Sequence, residues 1–153
     1  VDELRAESGA FRDGPTEGAG LLARPLYPLD TAVELADALL DLAVLSGESH
    51  YREIARDAVG AFGNAADRMG VEVANYASTA SRILSPQAIE VGTPAGSDLH
   101  RAALRLADHE TVVVPDAPAP PGEGRLVTDG TVEGTADSAA GLERLVTDAT
   151  GSE

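Results

Sequence analysis

The sequence predicts a mainly α-helical chain with a small α/β end. Three observations predict it. Apolar residues recur at intervals of three and four from Ala32 to Leu84, they contract into short β-branched runs beyond Pro86, and Asp129-Gly130 stands between two further runs of that kind.

The elements follow in order. Residues 1–22 are rich in Gly, Glu and small side chains; Gly14, Pro15, Gly18 and Gly20 break any helix there, so the stretch reads as an irregular lead-in with Phe11 its one aromatic. Residues 24–30 (RPLYPLD) carry two prolines three apart, which favours extended or turn backbone ahead of a helix. From Thr31 the period is helical, with Ala32, Leu35, Ala36, Leu39, Leu42 and Ala43 on one face, Thr31 and Glu34 in a capping-box pattern, and Gly47 as a stop. A second helix is expected from near Ser49 to about Met69, its apolar face running through Tyr51, Ile54, Ala55, Ala58, Val59, Phe62, Ala66 and Met69. The short link between the two predicts a helical hairpin. Gly70 ends the second helix, and Val73, Tyr76, Ala77, Ala80 and Ile83 or Leu84 mark a third.

After Pro86 the pattern becomes strand, helix, strand. Residues 88–91 end at Gly92; Leu99, Ala102, Ala103 and Leu106 give a helix; and residues 111–114 stop at Pro115. Such a unit predicts a parallel strand pair. Residues 115–124 form a Pro/Gly linker, Asp129-Gly130 predicts a tight hairpin, and a last helix is expected over about 138–147. The expected organisation is thus a helical hairpin region over 1–85 and a small α/β region over 86–153.

Charge narrows the function classes. The chain holds 26 Asp plus Glu against 11 basic residues, all arginine, for a net charge of −15. Nucleic-acid affinity comes largely from cationic side chains displacing counterions, so neither nucleic acid nor an anionic membrane surface is an expected partner. Excess carboxylates repel one another in dilute buffer and are screened in salt, which points to a salt-rich cytoplasm. Cysteine is absent, so no disulfide, thiolate metal site or cysteine nucleophile exists in the sequence. No apolar run approaches the ~20 residues of a membrane span. The chain opens on Val1 and its one methionine is Met69, which reads as a piece of a longer protein.

Candidate chemistry is thin. Residues 92–98 (GTPAGSD) join a strand to a helix, but without lysine they are no phosphate loop, and Ser97 or Asp98 is expected as a helix cap. His50 and Glu53 share a helix turn without the second histidine a metal site of that type needs, so no metal and no cofactor are expected. No serine lies in a nucleophile elbow. Asp13 and Asp30, each in irregular backbone ahead of a helix, are the carboxylates most worth following, with helix-cap and turn roles as their ordinary uses and Arg24 available to pair with either.

The order of Gly9-Ala10-Phe11-Arg12-Asp13, Arg24-Pro25, Asp30, a helical hairpin with Tyr51-Arg52, and the strands IEVG and TVVVP resembles the C-terminal part of thioredoxin-domain proteins of the YyaL and spermatogenesis-associated type, the DUF255 group. That family is similar in joining a thioredoxin-like domain to a six-hairpin α/α toroid and a small α/β end. The resemblance implies that this chain supplies the last hairpins of the toroid and the α/β end, and that the thioredoxin-like part lies upstream. The family often carries a cysteine near a C-terminal strand, and residues 125–134 here have none. By resemblance Phe11, Asp13, Arg24 and Asp30 lie near the toroid cavity, where they would bind a carbohydrate-like ligand. The segment alone is expected to be non-catalytic, with a sugar-acting hydrolase or epimerase fragment as the alternative and a free-standing helical interaction module as a third reading. Its expected partners are the upstream regions of the same protein and, through apolar helix faces left uncovered, a second copy of itself.

Overall fold

The computed structural model describes residues 2–14, 25–68, 70 and 73–150. They form a mainly α protein with a small α/β portion. The chain divides into two compact units, Val1–Ile83 and Leu84–Glu153.

In the first unit, α1 spans Leu29–Ser46, α2 His50–Gly60 and α3 Val73–Leu84. Helix α1 begins two residues ahead of the expected start. Pro28 stands at its N-cap with φ −69° and ψ 133°, and no side chain caps it, so the Thr31/Glu34 capping box is not used. Proline's fixed φ sets the entry, and Asp30 in the first turn faces the positive end of the helix dipole. Gly47 closes α1 in the left-handed region, its N–H donating to the Ala43 carbonyl.

Helix α2 is shorter than expected. It ends at Gly60, and a 3-10 turn covers Gly63–Arg68, while Met69 lies outside the described residues. Two glycines three apart outweigh the apolar period that runs through them, because each costs about 1 kcal/mol of helix relative to alanine.

The helices pack through Ala36, Leu39 and Leu40 of α1, Ala55 and Val59 of α2, and Ile83 of α3. The buried stripe of α1 therefore runs through Val33 and Leu40, whereas Leu42 and Leu45 are exposed. Residues 39–45 (LLDLAVL) are apolar almost all round, so sequence periodicity alone does not choose between the two stripes. Small alanines at 32, 36, 55 and 58, all nearly or wholly buried, let the backbones approach.

Two polar residues are buried among them. Arg82 of α3, 7% exposed, donates to Asp37 Oδ1 at 3.0 Å and to Asp41, two carboxylates one turn apart on α1; Thr79, 1% exposed, donates to Asp37 Oδ2 at 3.0 Å. Among the described residues no buried side-chain nitrogen or oxygen is left without a hydrogen-bond partner. Arg82→Ala leaves two carboxylates facing each other without their cation. Because Asp37 and Asp41 stay partly solvated, the expected loss is about 2 kcal/mol rather than the 3–5 of a wholly buried pair, read from the urea midpoint. Arg82→Ala with an unchanged midpoint would show the clamp to be incidental. Arg52 adds a second guanidinium at this end, donating from Nε and Nη2 to the Ile83 carbonyl at 3.1 and 2.7 Å, where cations suit the end of a helix.

In the second unit, β1 (Gln87–Val91), α4 (Asp98–Leu106), β2 (Thr111–Val114), β3 (Gly124–Thr128), β4 (Thr131–Ala136) and α5 (Ala139–Thr150) build a mixed sheet in the order β2-β1-β3-β4. Strands β1 and β2 pair in parallel, Ile89 opposite Val113, as the strand, helix, strand pattern predicts. Strand β3 returns antiparallel to β1, Ile89 opposite Leu126, and β3 and β4 form a hairpin. Its turn is Asp129-Gly130, with φ of 46° and 77°, the two positive values that a two-residue turn of this hand requires.

Helices α4 and α5 cover one face, packing Leu99, Ala103 and Leu142 on Ile89, Val91 and Leu126. Glycine makes the fit possible: a Cβ at Gly134 would stand 2.4 Å from Leu145 Cδ1. Ser97 caps α4, accepting from His100 N–H at 3.2 Å, and Ser138 caps α5, accepting from Gly141 N–H at 3.3 Å. The Pro/Gly stretch 115–124 is no free linker. It is tied to the end of β1 by Ala117 N–H to Val91 O (3.1 Å), Gly92 N–H to Glu123 O (2.8 Å) and Asp116 N–H to Thr93 O (3.0 Å).

Candidate binding groove

The lead-in of the first unit is irregular but anchored. Its backbone doubles back: Gly9 N–H donates to Ala6 O, Ala6 N–H to Ala10 O and Arg12 N–H to Leu4 O, all within 2.9–3.0 Å, and Arg5 and Phe11 form an isolated bridge. The turn needs Gly9, whose φ is +88°, and it needs Gly9 for space as well. A Cβ there would lie 2.8 Å from the Asp57 carbonyl oxygen, so the loop rests directly on the α2 backbone. Arg5 completes the attachment through an ion pair with the Asp57 carboxylate.

Between loop and helix lies an open groove of about 850 Å³, walled by Arg5, Ala6, Glu7, Ser8 and Gly9 on one side and Arg56, Asp57, Gly60 and Ala61 on the other. Its lining mixes two guanidinium groups, two carboxylates, a hydroxyl and exposed main chain.

The residues expected at a site stand elsewhere. Phe11 is 2% exposed, a core residue of the loop. Asp13 is tied to residue 26 twice: its N–H donates to Leu26 O at 3.0 Å and its Oδ1 accepts from Leu26 N–H at 2.8 Å. Asp30 is exposed in the first turn of α1, with Oδ1 accepting from Thr31 N–H at 2.9 Å. Arg24 lies outside the described residues. None of Phe11, Asp13 and Asp30 lines the groove. Sequence reasoning passed over Arg5, Glu7, Arg56 and Asp57, because single charges in so charged a chain carry no pattern. Gly9 was the one available signal, as a glycine that breaks an otherwise ordinary turn.

Other titratable residues serve local structure. His50 stacks beside Tyr51 with ring centroids 3.9 Å apart and lies 3.4 Å from Glu48. Partial burial alone would raise the Asp108 carboxyl, but hydrogen bonds from the Thr111 hydroxyl and the Glu110 N–H, with His109 adjacent, hold it below its ordinary value. Among the described residues no group of three or more His, Cys, Asp or Glu is placed to hold a metal ion, and no helix is long and apolar enough to cross a membrane. No family model matches the chain, and neither a curated protein nor a solved structure is significantly similar to it.

Proposed function

We propose that this chain is the pocket-forming C-terminal segment of a larger cytoplasmic protein of the thioredoxin-domain, six-hairpin toroid type, and that it binds a carbohydrate-like ligand without performing chemistry by itself. The observation that carries the binding part is the groove between the Gly9 loop and α2. A sugar hydroxyl both donates and accepts, and a lining of alternating guanidinium, carboxylate, hydroxyl and main chain answers both needs. The ring part is supported by the α1–α2 hairpin and by Leu42 and Leu45, 40% and 55% exposed, apolar surface that neighbouring hairpins of a ring would cover. The upstream thioredoxin-like and toroid regions are its intended partners.

The test is a thermal-shift panel of neutral and charged sugars on the whole chain in high salt. Wild type is compared with Glu7→Gln in the groove and with Arg24→Ala and Asp30→Asn at the positions the family resemblance suggests. A ligand at a hundred times its Kd stabilises by about 2.7 kcal/mol, a rise of several degrees. The expected result is such a rise in wild type that shrinks in Glu7→Gln; shrinkage only in Arg24→Ala or Asp30→Asn moves the site to those residues. No rise with any sugar, and a clean monomer by light scattering of the same samples, would remove both the ligand and the uncovered-ring reading.

A further inference from the structure

Within the groove the charges are not equivalent. Asp57 is held by Arg5, so that pair is internally neutral. Arg56, the neighbouring residue on α2, is exposed and makes no hydrogen bond or ion pair with any of the described residues. Among the described residues Arg82, Arg101 and Arg125 each hold a carboxylate, whereas Arg105 and Arg144 are exposed and unpaired like Arg56; of these three, Arg56 is the one on the wall of the groove. A guanidinium left open on the wall of a groove has its fork of N–H donors available. Its planar pair of N–H donors matches the two oxygens of a carboxylate or phosphoryl group.

We infer that the groove takes a sugar-sized ligand bearing one oxyanion group, with Arg56 as its anchor. This rests on the binding reading above and gives it a ligand class. Glu7 on the facing loop sets the limit: its carboxylate accepts from hydroxyls but repels a second anionic group, so a ligand with one oxyanion group is favoured over one with two. Ser8 remains for the hydroxyl end. The wall that carries these groups is fixed against α2, since Gly9 leaves no room for a side chain between the two.

The experiment titrates glucose, glucuronate and glucose 6-phosphate into the whole chain at constant ionic strength, followed by calorimetry. Three proteins are compared: wild type, Arg56→Gln, and Arg105→Gln, an exposed arginine of α4 that serves as the charge control. Wild type and Arg105→Gln are expected to bind at least one of the two anionic sugars about tenfold or more tightly than glucose, the scale of one charge-assisted fork. In Arg56→Gln that advantage is expected to vanish. The preferred anion, glucuronate or glucose 6-phosphate, identifies carboxylate or phosphoryl as the group held. If glucose and both anions bind wild type equally, the oxyanion inference falls while the sugar groove stands. Equal losses in Arg56→Gln and Arg105→Gln would reduce the effect to net charge and overturn the anchor. If no sugar binds at all, both readings fall together.

Discussion

Phe11→Ala is expected to lower the unfolding free energy by about 3–4 kcal/mol, the usual cost of emptying a buried phenylalanine site, while Phe11→Leu keeps most of it. The ring is only 2% exposed although it sits in irregular backbone, and Ala10 beside it is 6% exposed. An aromatic that stacks on a ligand presents a face to solvent, and this one presents none. The loop it belongs to also carries Gly9 and Arg5, which wall the groove. Loss of the ring is therefore expected to loosen the groove as a secondary effect of lost packing. Urea denaturation of the three proteins checks this. Phe11→Ala with wild-type stability and lost ligand binding would return Phe11 to the site, as the family resemblance suggested.

Gly92→Ala is expected to cost about 3 kcal/mol, at the upper end of what one added methyl group does in a packed region. The reason is space rather than dihedral freedom. A Cβ at 92 would stand 2.3 Å from the Pro120 carbonyl oxygen and 2.7 Å from that of Ala119, and backbone atoms cannot rotate aside as a side-chain tip can. The segment 116–123 would have to lift from the end of β1, giving up the hydrogen bonds between Gly92 and Glu123 and between Ala117 and Val91. Limited proteolysis should cut Gly92→Ala within that stretch faster than wild type, together with a lowered Tm. Gly60→Ala is the contrast: nothing lies within 4 Å of its would-be Cβ, so no such loss is expected. Similar behaviour of the two variants would show that segment 116–123 is not held at Gly92.

These two positions also show what the amino-acid order revealed and what it hid. Elements defined by local chemistry were legible: α3 by its apolar spacing between Gly70 and Pro86, β2 by four β-branched residues before Pro115, and the β3–β4 turn by Asp129-Gly130. Features that depend on partners far along the chain were not. Residues 115–124 have the composition of a linker, and only the close approach at Gly92 reveals that they are docked. Arg82 carries a full charge on a helix, which argues for solvent until Asp37 and Asp41 are found 45 and 41 residues away. The groove was hidden for the same reason, since Arg5 and Asp57 meet across 52 residues and neither belongs to a recognisable motif. The ordinary uses weighed for Asp13 and Asp30 follow from short-range rules, and their carboxylates do accept nearby or facing main-chain N–H groups.

Among the described residues the sheet order leaves β2 with one side unpaired. An open strand of Thr-Val-Val-Val is the kind of edge on which a second chain can template. Here the strand is only four residues long, and it is bracketed by Asp108 and Glu110 on one side and Asp116 on the other. Two such edges brought side by side would align carboxylate against carboxylate at both ends before the valines met. The acidic surplus thus doubles as a guard against fibre-like stacking, strongest in dilute buffer and weakened by the salt that screens the rest of the chain.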